Sequence, residues 1–229
     1  MPDDLSPLKQ AAFSAALNDL DDLLSQSGKA FLIGAGCSKC AGLPLTGELT
    51  DKSLASARLD ATTKAVLTEI QRQFTGATGA NIEDFLSELV DLLAIADRRT
   101  FRGATASTVV LGGTSYSAKQ LRDATDQIKW AIADIVGVNV SLAVHSAFVR
   151  AIHRPLRPGR ATISRPVDYL ILNYDALIES ALALEKLRYA DGLSGGKSAW
   201  WDPLGFQADG LSARVIKLHG SIDWSEIPG

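Results

Sequence analysis

Three short apolar segments constrain the fold of this chain most, because each leads directly into glycine or polar residues. They occupy residues 30–33, 167–172 and 214–218, and helical periodicity fills much of the sequence between them. Short, largely apolar runs of this kind are typical of strands that are buried on both faces of a sheet. The alternation of such strands with helices predicts an α/β protein whose parallel sheet is covered by helices.

The helices are predicted from apolar residues that recur every three or four positions. Residues 81 to about 97 and 174 to about 187 show this spacing, and Asn81 is suited to cap the first of these helices. The stretch 100–117 is rich in serine, threonine and glycine, and it is predicted to be a loop with room for one short strand. Residues 191–210 form a second predicted loop, which contains two adjacent tryptophans.

Composition and charge limit the function classes. The chain has 229 residues and a formal net charge of −3, from 23 Lys and Arg against 26 Asp and Glu, which argues against binding nucleic acid through the overall field. Cys37 and Cys40 have the spacing of half a zinc site, but the sequence has no second pair, so no zinc is expected. No apolar run approaches the roughly 18 residues of a membrane span, and the acidic N-terminus is unlike a signal peptide. We therefore expect one domain over residues 1–229, in the cytoplasm and with no membrane partner.

The residues that follow each predicted strand are the candidate site, because ligands bind beyond the carboxyl ends of the strands in open parallel sheets. Gly34, Ala35, Gly36 and Ser38 follow the first strand. Glycine lets a backbone N–H approach a ligand closely, and amides that lead into a helix favour a phosphate, to which Ser38 adds a hydroxyl. The alternative is a tight turn that binds nothing. Because Lys39 stands where G-x-G-x-x-G has its third glycine, both interpretations stay open.

Two polar residues, Asn173 and Asp175, follow the second strand. An asparagine can orient a ribose hydroxyl or a water molecule, because its amide both donates and accepts hydrogen bonds. Asp175 can accept a hydrogen bond from a sugar hydroxyl. The alternative is that one of the two caps the helix that follows, and this alternative is stronger for Asp175 than for Asn173.

A histidine follows the third strand. His219 precedes Gly220, which allows the chain to turn sharply, and a histidine in this place is positioned to act as a general base near neutral pH. The alternative is a buried histidine whose ring bonds to a backbone carbonyl. His145 and His153 lie on or beside a predicted helix and are expected to be structural or surface residues.

Taken together and in order, these motifs resemble the sirtuin-like domain family. The matching segments are residues 31–38 (FLIGAGCS), 42–46 (GLPLT), 81–86 (NIEDFL), 173–175 (NYD) and 217–224 (KLHGSIDW). The resemblance implies a Rossmann-like sheet with an inserted helical module over about residues 51–160. It also implies that the C-terminal part of the family domain is missing from this chain.

The resemblance further implies that the chain binds NAD, the substrate of the family. By this likeness, Asn173 positions the nicotinamide ribose or the attacking water, and His219 is the catalytic histidine. The residues that would contact the dinucleotide are Gly34, Ala35, Gly36, Ser38, Asp175, Gly220 and Ser221.

Two departures separate the chain from sirtuins that remove acyl groups from proteins. Those enzymes carry an Asp-Phe-Arg-like segment where this chain has residues 45–48 (LTGE), and they carry a four-cysteine zinc ribbon that two cysteines cannot build. The chain is more similar to the bacterial sirtuin-like domains that hydrolyse NAD in anti-phage defence, which act with a sensor domain, a partner protein or further copies of themselves. The expected reaction is hydrolysis of NAD to nicotinamide and ADP-ribose. The alternatives are a catalytically silent domain that binds NAD or ADP-ribose and, less favoured, an NAD-dependent deacylase.

Overall fold

The chain forms two compact units, one made of Met1–Cys37 with Ser141–Gly229 and the other of Ser38–Val140. The sequence analysis expects a helical segment at about 51–160, and the second unit covers most of that range. The computed structural model describes residues 6, 10–24, 26, 28–74, 79–104, 107–154, 165–196 and 199–224.

The described residues form both helices and strands. The helices are α1 (Ala11–Leu24), α2 (Ala35–Lys39), α3 (Thr46–Leu54), α4 (Ala61–Gln71), α5 (Ile82–Phe101), α6 (Ala118–Val136), α7 (Ala143–His153) and α8 (Leu177–Leu184). The strands are β1 (Ala30–Ile33), β2 (Val109–Leu111), β3 (Thr114–Tyr116), β4 (Val167–Ile171), β5 (Tyr189–Ala190), β6 (Leu193–Ser194), β7 (Trp200–Trp201) and β8 (Ala213–Lys217). Across these described ranges, the helices are too short or too polar to span a bilayer.

A four-stranded parallel sheet organises the first unit. Its strand order is β1-β4-β8-β5, and every neighbouring pair runs parallel. Ile33 is in register with Ile171, which is in register with Lys217, so three strands end at the same level. The three predicted strands and the α/β class are therefore confirmed, and the sheet is compatible with a Rossmann-like fold.

The core of the first unit lies between one face of the sheet and the helices α7 and α8. Tyr169 is fully buried at its centre, and its ring stacks on Phe31 with the ring centroids 5.7 Å apart. Phe148 of α7 meets the Phe31 ring edge-on at 5.5 Å. The opposite face is more polar and more open, since Leu32 is 71% exposed and Arg214 pairs with Asp168 through two hydrogen bonds.

The second unit is mainly helical, with α5 packed against α6. The predicted cap of α5 is confirmed, because the Asn81 side chain accepts hydrogen bonds from the amides of Glu83 and Asp84 at 2.8 and 3.3 Å. The Asp84 carboxylate accepts from the Asn81 amide in return, at 2.8 Å. The helix continues to Phe101, beyond the predicted end near residue 97. Its last turn carries Arg98 and Arg99, whose positive charges are favourable at a helix C-terminus.

The short strand allowed for within residues 100–117 is confirmed as β2, and the structure adds a second strand, β3, that was predicted as loop. Residues 109–116 form an antiparallel hairpin of β2 and β3, where the sequence analysis allowed one strand. The turn is made by Gly112 and Gly113, which adopt φ angles of +56° and +82°. Two glycines between strand-forming segments are a recognised hairpin signal, and Thr114 and Tyr116 favour a strand, so the second strand was detectable from the sequence.

Candidate functional site

The first two strand ends are joined directly by the side chain of Asn173. Its amide nitrogen donates a hydrogen bond to the carbonyl oxygen of Gly34 at 3.0 Å, and the residue is 9% exposed. The parallel register makes this contact possible, because the amide of Leu172 already bonds to the carbonyl of Ile33 at 2.9 Å. The structure therefore brings the glycine segment and the asparagine together, as expected for residues that follow neighbouring parallel strands.

The loops after β4 and β8 are also bonded to each other. The ammonium group of Lys217 donates to the carbonyl of Asp175. The carbonyl of Tyr174 accepts from the amide of Ile222 at 3.0 Å and from the Ser221 hydroxyl at 3.4 Å. These contacts lie on either side of His219 in the sequence. Segment 173–175 and segment 217–222 therefore form one connected surface at the carboxyl end of the sheet.

His219 is exposed on this surface, two residues after the end of β8. The following residue, Gly220, has a φ angle of +91°, so the chain makes the sharp turn that its glycine predicted. The alternative of a buried ring bonded to a carbonyl does not describe His219. It describes His145, which is 2% exposed and has its Nε2 3.1 Å from the carbonyl oxygen of Cys37. His145 is thus structural, as expected.

His153 is also a structural histidine. Its Nε2 lies 3.0 Å from the hydroxyl oxygen of Tyr169. Burial, with a smaller contribution from the charge of Lys29, lowers the pKa of His153 to about 4. The ring is consequently neutral at physiological pH, and it packs against Tyr169 in the core of the first unit.

Asp175 takes part in the turn that begins α8. Its Oδ1 accepts from the amide of Leu177 at 3.2 Å, and the residue is 7% exposed. The helix itself is shorter than predicted, since it covers Leu177–Leu184 and residues 173–176 stay outside it. The N-cap position is Ala176, so Asp175 bonds to the first helical amide from one residue before the cap, and a contact of this carboxylate with a sugar stays a prediction.

Gly34 and Gly36 do not use the conformational freedom of glycine. Neither adopts a positive φ, and a Cβ atom added to either would meet no heavy atom within 4 Å. No neighbouring atom therefore requires glycine at either position. The same observation means that there is free space beside the backbone at both residues. Ala35 begins α2, and the amide of Cys37 already bonds to the Gly34 carbonyl at 2.9 Å.

Ser38 and Lys39 belong to the second unit. Ser38 is buried, with 4% exposure. Lys39, which stands in the place of a third glycine, forms an exposed ion pair with Glu48, with Nζ 2.7 and 2.9 Å from the two carboxylate oxygens. Glu48 also accepts from the amide of Leu45 at 3.2 Å. Hydrogen bonding from Lys39 and then from Leu45 lowers the pKa of Glu48, so this side chain stabilises the start of α3.

A buried ion pair that was not predicted from the sequence lies beside the candidate site. Lys217 Nζ lies 3.4 Å from Glu179 Oε1, and the two side chains are 1% and 10% exposed. Burial raises the pKa of Glu179, and the charge of Lys217 opposes that rise. A signal was present for Glu179, because it is the one charged residue in the largely apolar helix α8, and a charged side chain there is expected to be buried with a partner.

The tryptophan segment forms an antiparallel ribbon of β6 and β7 where a loop was predicted. Trp200 and Trp201 are 61% and 58% exposed. The indole of Trp200 occupies the space where Gly195 would carry a Cβ, and the indole of Trp201 does the same at Gly192. The two glycines therefore allow both rings to lie against the backbone.

The two cysteines lie in and beside α2, with Cys37 half-buried and Cys40 exposed. Among the residues that the structure describes, no group of three or more histidine, cysteine, aspartate or glutamate side chains is arranged to hold a metal ion. Comparison with protein-family models found no matching family, and no curated protein matches the sequence.

Proposed function

We propose that the protein hydrolyses NAD to nicotinamide and ADP-ribose as a sirtuin-like domain. The observation that carries the proposal is the joining of three strand-end segments at one edge of a parallel sheet. Asn173 bonds to the Gly34 carbonyl, and its loop is bonded in turn to the loop that presents His219. Ligands of open α/β sheets bind at this edge, and these segments carry the motifs that resemble the family.

The proposed chemistry breaks the bond between C1′ of the nicotinamide ribose and the pyridinium nitrogen. The bonding electron pair passes to that nitrogen, so nicotinamide leaves as a neutral molecule and needs no proton. The ribose passes through an oxocarbenium-like state, as in glycoside hydrolysis generally. A water oxygen bonds to C1′ and releases one proton, which His219 accepts directly or through a ribose hydroxyl.

Asn173 supplies positioning in this proposal. One hydrogen of its amide is committed to the Gly34 carbonyl, which fixes the rotamer of the side chain. The amide oxygen is then held in one direction, where it can accept from the water or from a ribose hydroxyl. Fixing two reactants in this way lowers the entropic part of the barrier.

The glycine segment is the proposed place of the pyrophosphate. Open space above Gly34 and Gly36 supports a close approach of phosphate oxygens to the backbone. Because α2 has five residues, we assign the contact to the amides of the turn and not to a helix dipole. A role in anti-phage defence, together with a sensor or partner, belongs to the same proposal and is supported by the family resemblance alone.

Release of nicotinamide from NAD by the purified protein tests the proposal, with NAD affinity measured on the same samples by calorimetry. His219→Ala is expected to lower the rate by about 100-fold or more while NAD still binds, since general-base catalysis contributes that much. His153→Gln serves as the matched histidine control and should keep the rate, because its ring bonds to Tyr169 in the core.

Two other results would each point to a different function. Binding of NAD with no release by the unaltered protein would favour the silent binding domain. Consumption of NAD that requires an acetylated peptide would favour the deacylase. Absence of NAD binding would overturn the proposal, as would a His219→Ala variant with the full rate of release.

A further inference from the structure

An ion pair is buried at the point where the loops after β4 and β8 meet. The side chain of Lys217 is 1% exposed and that of Glu179 is 10% exposed, with Nζ 3.4 Å from Oε1. Moving two charges out of water costs free energy that their mutual attraction repays only in part. Within the described residues, the second carboxylate oxygen of Glu179 has no hydrogen-bond partner, which adds to that cost. A pair this costly is not explained by fold stability alone.

The position of Lys217 suggests what the pair does. Its ammonium also donates to the carbonyl oxygen of Asp175. Lys217 lies two residues before His219, and Asp175 lies two residues after Asn173. One ammonium group therefore connects the segment that carries the asparagine to the segment that carries the histidine.

Glu179 holds that ammonium in place from the first turn of α8. Lysine has a long, flexible side chain, so a single hydrogen bond to a carbonyl would leave its head poorly fixed. The carboxylate supplies a second, oppositely charged partner, and both side chains are buried. Two further bonds, from Ile222 and Ser221 to the Tyr174 carbonyl, continue the connection along the same loop.

We propose that Lys217 and Glu179 are positioning residues that fix the loop of Asn173 against the loop of His219. Neither side chain is assigned a contact with substrate or with the reacting atoms. The role in catalysis rests on the proposed function, whereas the mechanical connection between the loops does not.

The test compares two double variants. In Lys217→Met/Glu179→Met both charges are removed together, because removing one alone leaves a buried charge without its partner and endangers folding. The matched control is Arg150→Met/Glu185→Met. It removes an ion pair of the same unit, 2.6 Å long, that joins α7 to the end of α8, away from the two loops.

Hydrogen exchange tests the connection without reference to activity. The amides of residues 173–176 and 218–222 are expected to exchange at least tenfold faster in Lys217→Met/Glu179→Met than in the unaltered protein. The control variant should leave both segments unchanged. Equal exchange in all three proteins would overturn the proposal, whether or not the protein acts on NAD.

Kinetics test the consequence for catalysis. With the connection removed, kcat for nicotinamide release should fall at least tenfold, while KM changes less than threefold, because the loss is one of alignment and not of binding. A purely structural pair would lower the thermal midpoint and leave kcat unchanged, and that result would overturn the proposal. If the unaltered protein releases no nicotinamide, the proposed function is wrong. The exchange measurement then still tests whether Lys217 and Glu179 connect the two loops.

Discussion

The amide nitrogen of Asn173 donates a hydrogen bond to the carbonyl oxygen of Gly34 at 3.0 Å, which joins two loops that are far apart in the sequence. The carbonyl is an acceptor, so this bond requires a donor at position 173. An aspartate has the same shape as asparagine but, when ionised, offers only acceptors. The contact therefore favours asparagine over aspartate at position 173, although the two side chains have nearly the same size.

Asn173→Asp is expected to destabilise the first unit by about 1–3 kcal/mol, because it places a buried acceptor against another acceptor. Urea denaturation at pH 7.5 measures the effect. Asn139→Asp is the matched control, since that asparagine is exposed and should change the midpoint little. Equal midpoints for the two variants would show that the bond to Gly34 contributes nothing to folding.

The glycines of the site divide into two kinds, and substitution by alanine separates them. Gly36 lies in α2 without a positive φ and with open space at the Cβ position, so Gly36→Ala should keep or raise stability, by up to about 1 kcal/mol. The same variant should weaken NAD binding if phosphate approaches the backbone there. Gly220 has a φ of +91°, so Gly220→Ala should cost about 1–2 kcal/mol of folding free energy.

Thermal unfolding and calorimetric titration with NAD, applied to both glycine variants, check this contrast. A Gly36→Ala protein that is stable and binds NAD as tightly as the unaltered protein would remove the reason for placing the pyrophosphate at that turn. A stable Gly220→Ala protein would mean that the turn relaxes to accept a side chain.

The parts of the fold that depend on local pattern were predictable from the sequence. The apolar run of residues 30–33 predicted a strand, and the glycine after it marked where the strand ends. The expected burial of both faces was wrong for this strand, because Leu32 is 71% exposed. Asn81 marks the start of α5, because its side chain accepts hydrogen bonds from the amides of Glu83 and Asp84. His219 and Asn173 were identified for the same reason, since each directly follows a strand that the sequence predicts.

The parts that depend on partners distant in the sequence were not predictable. The strand β5 has two residues, too few to show periodicity, and its place beside β8 is set by packing. The pairing of Lys217 with Glu179 needs the position of α8 over the sheet, which no spacing encodes. The hydrogen bond from Asn173 to Gly34 likewise depends on the register of β1 with β4. That register becomes known only when the two strands are seen paired.

Acid should destabilise the protein through His153. Burial, and secondarily the charge of Lys29, lowers the pKa of this histidine to about 4, below the value of about 6.5 in an unfolded chain. As the pH falls from 6.5 towards 4, the unfolded chain binds a proton that the folded chain does not, so the free energy of unfolding decreases. The expected loss from this half-buried group is about 1–2 kcal/mol between pH 7.5 and pH 5.

His153→Gln removes this titration and keeps a side chain that can bond to the hydroxyl of Tyr169. Urea midpoints at pH 7.5, 6 and 5 should therefore decline less steeply in the variant than in the unaltered protein. Other acidic and basic groups contribute equally to both proteins, so the difference in slope reports the one histidine. Parallel curves would show that His153 is protonated as easily in the folded chain as in the unfolded one.

The ribbon of β6 and β7 depends on the missing side chain of Gly192. A Cβ there would lie 2.2 Å from the Cζ3 atom of Trp201 and 3.0 Å from a ring atom of Phe206, and the residue also has a φ of +82°. Gly192→Ala is therefore expected to displace the Trp201 indole from its edge-on contact with Phe206, where the ring centroids are 6.0 Å apart. Overpacking of this kind costs about 1–3 kcal/mol.

Near-ultraviolet circular dichroism measures the displacement, because the signal of an indole depends on its fixed contact with a neighbouring ring. Gly205→Ala is the matched control in the same segment, since a Cβ at that glycine meets no atom within 4 Å and its φ is not positive. The control spectrum should overlay that of the unaltered protein, while the Gly192→Ala spectrum loses aromatic intensity. If both variants keep the full signal, the ribbon accommodates a methyl group, and the Trp201 ring is not held by the glycine beneath it.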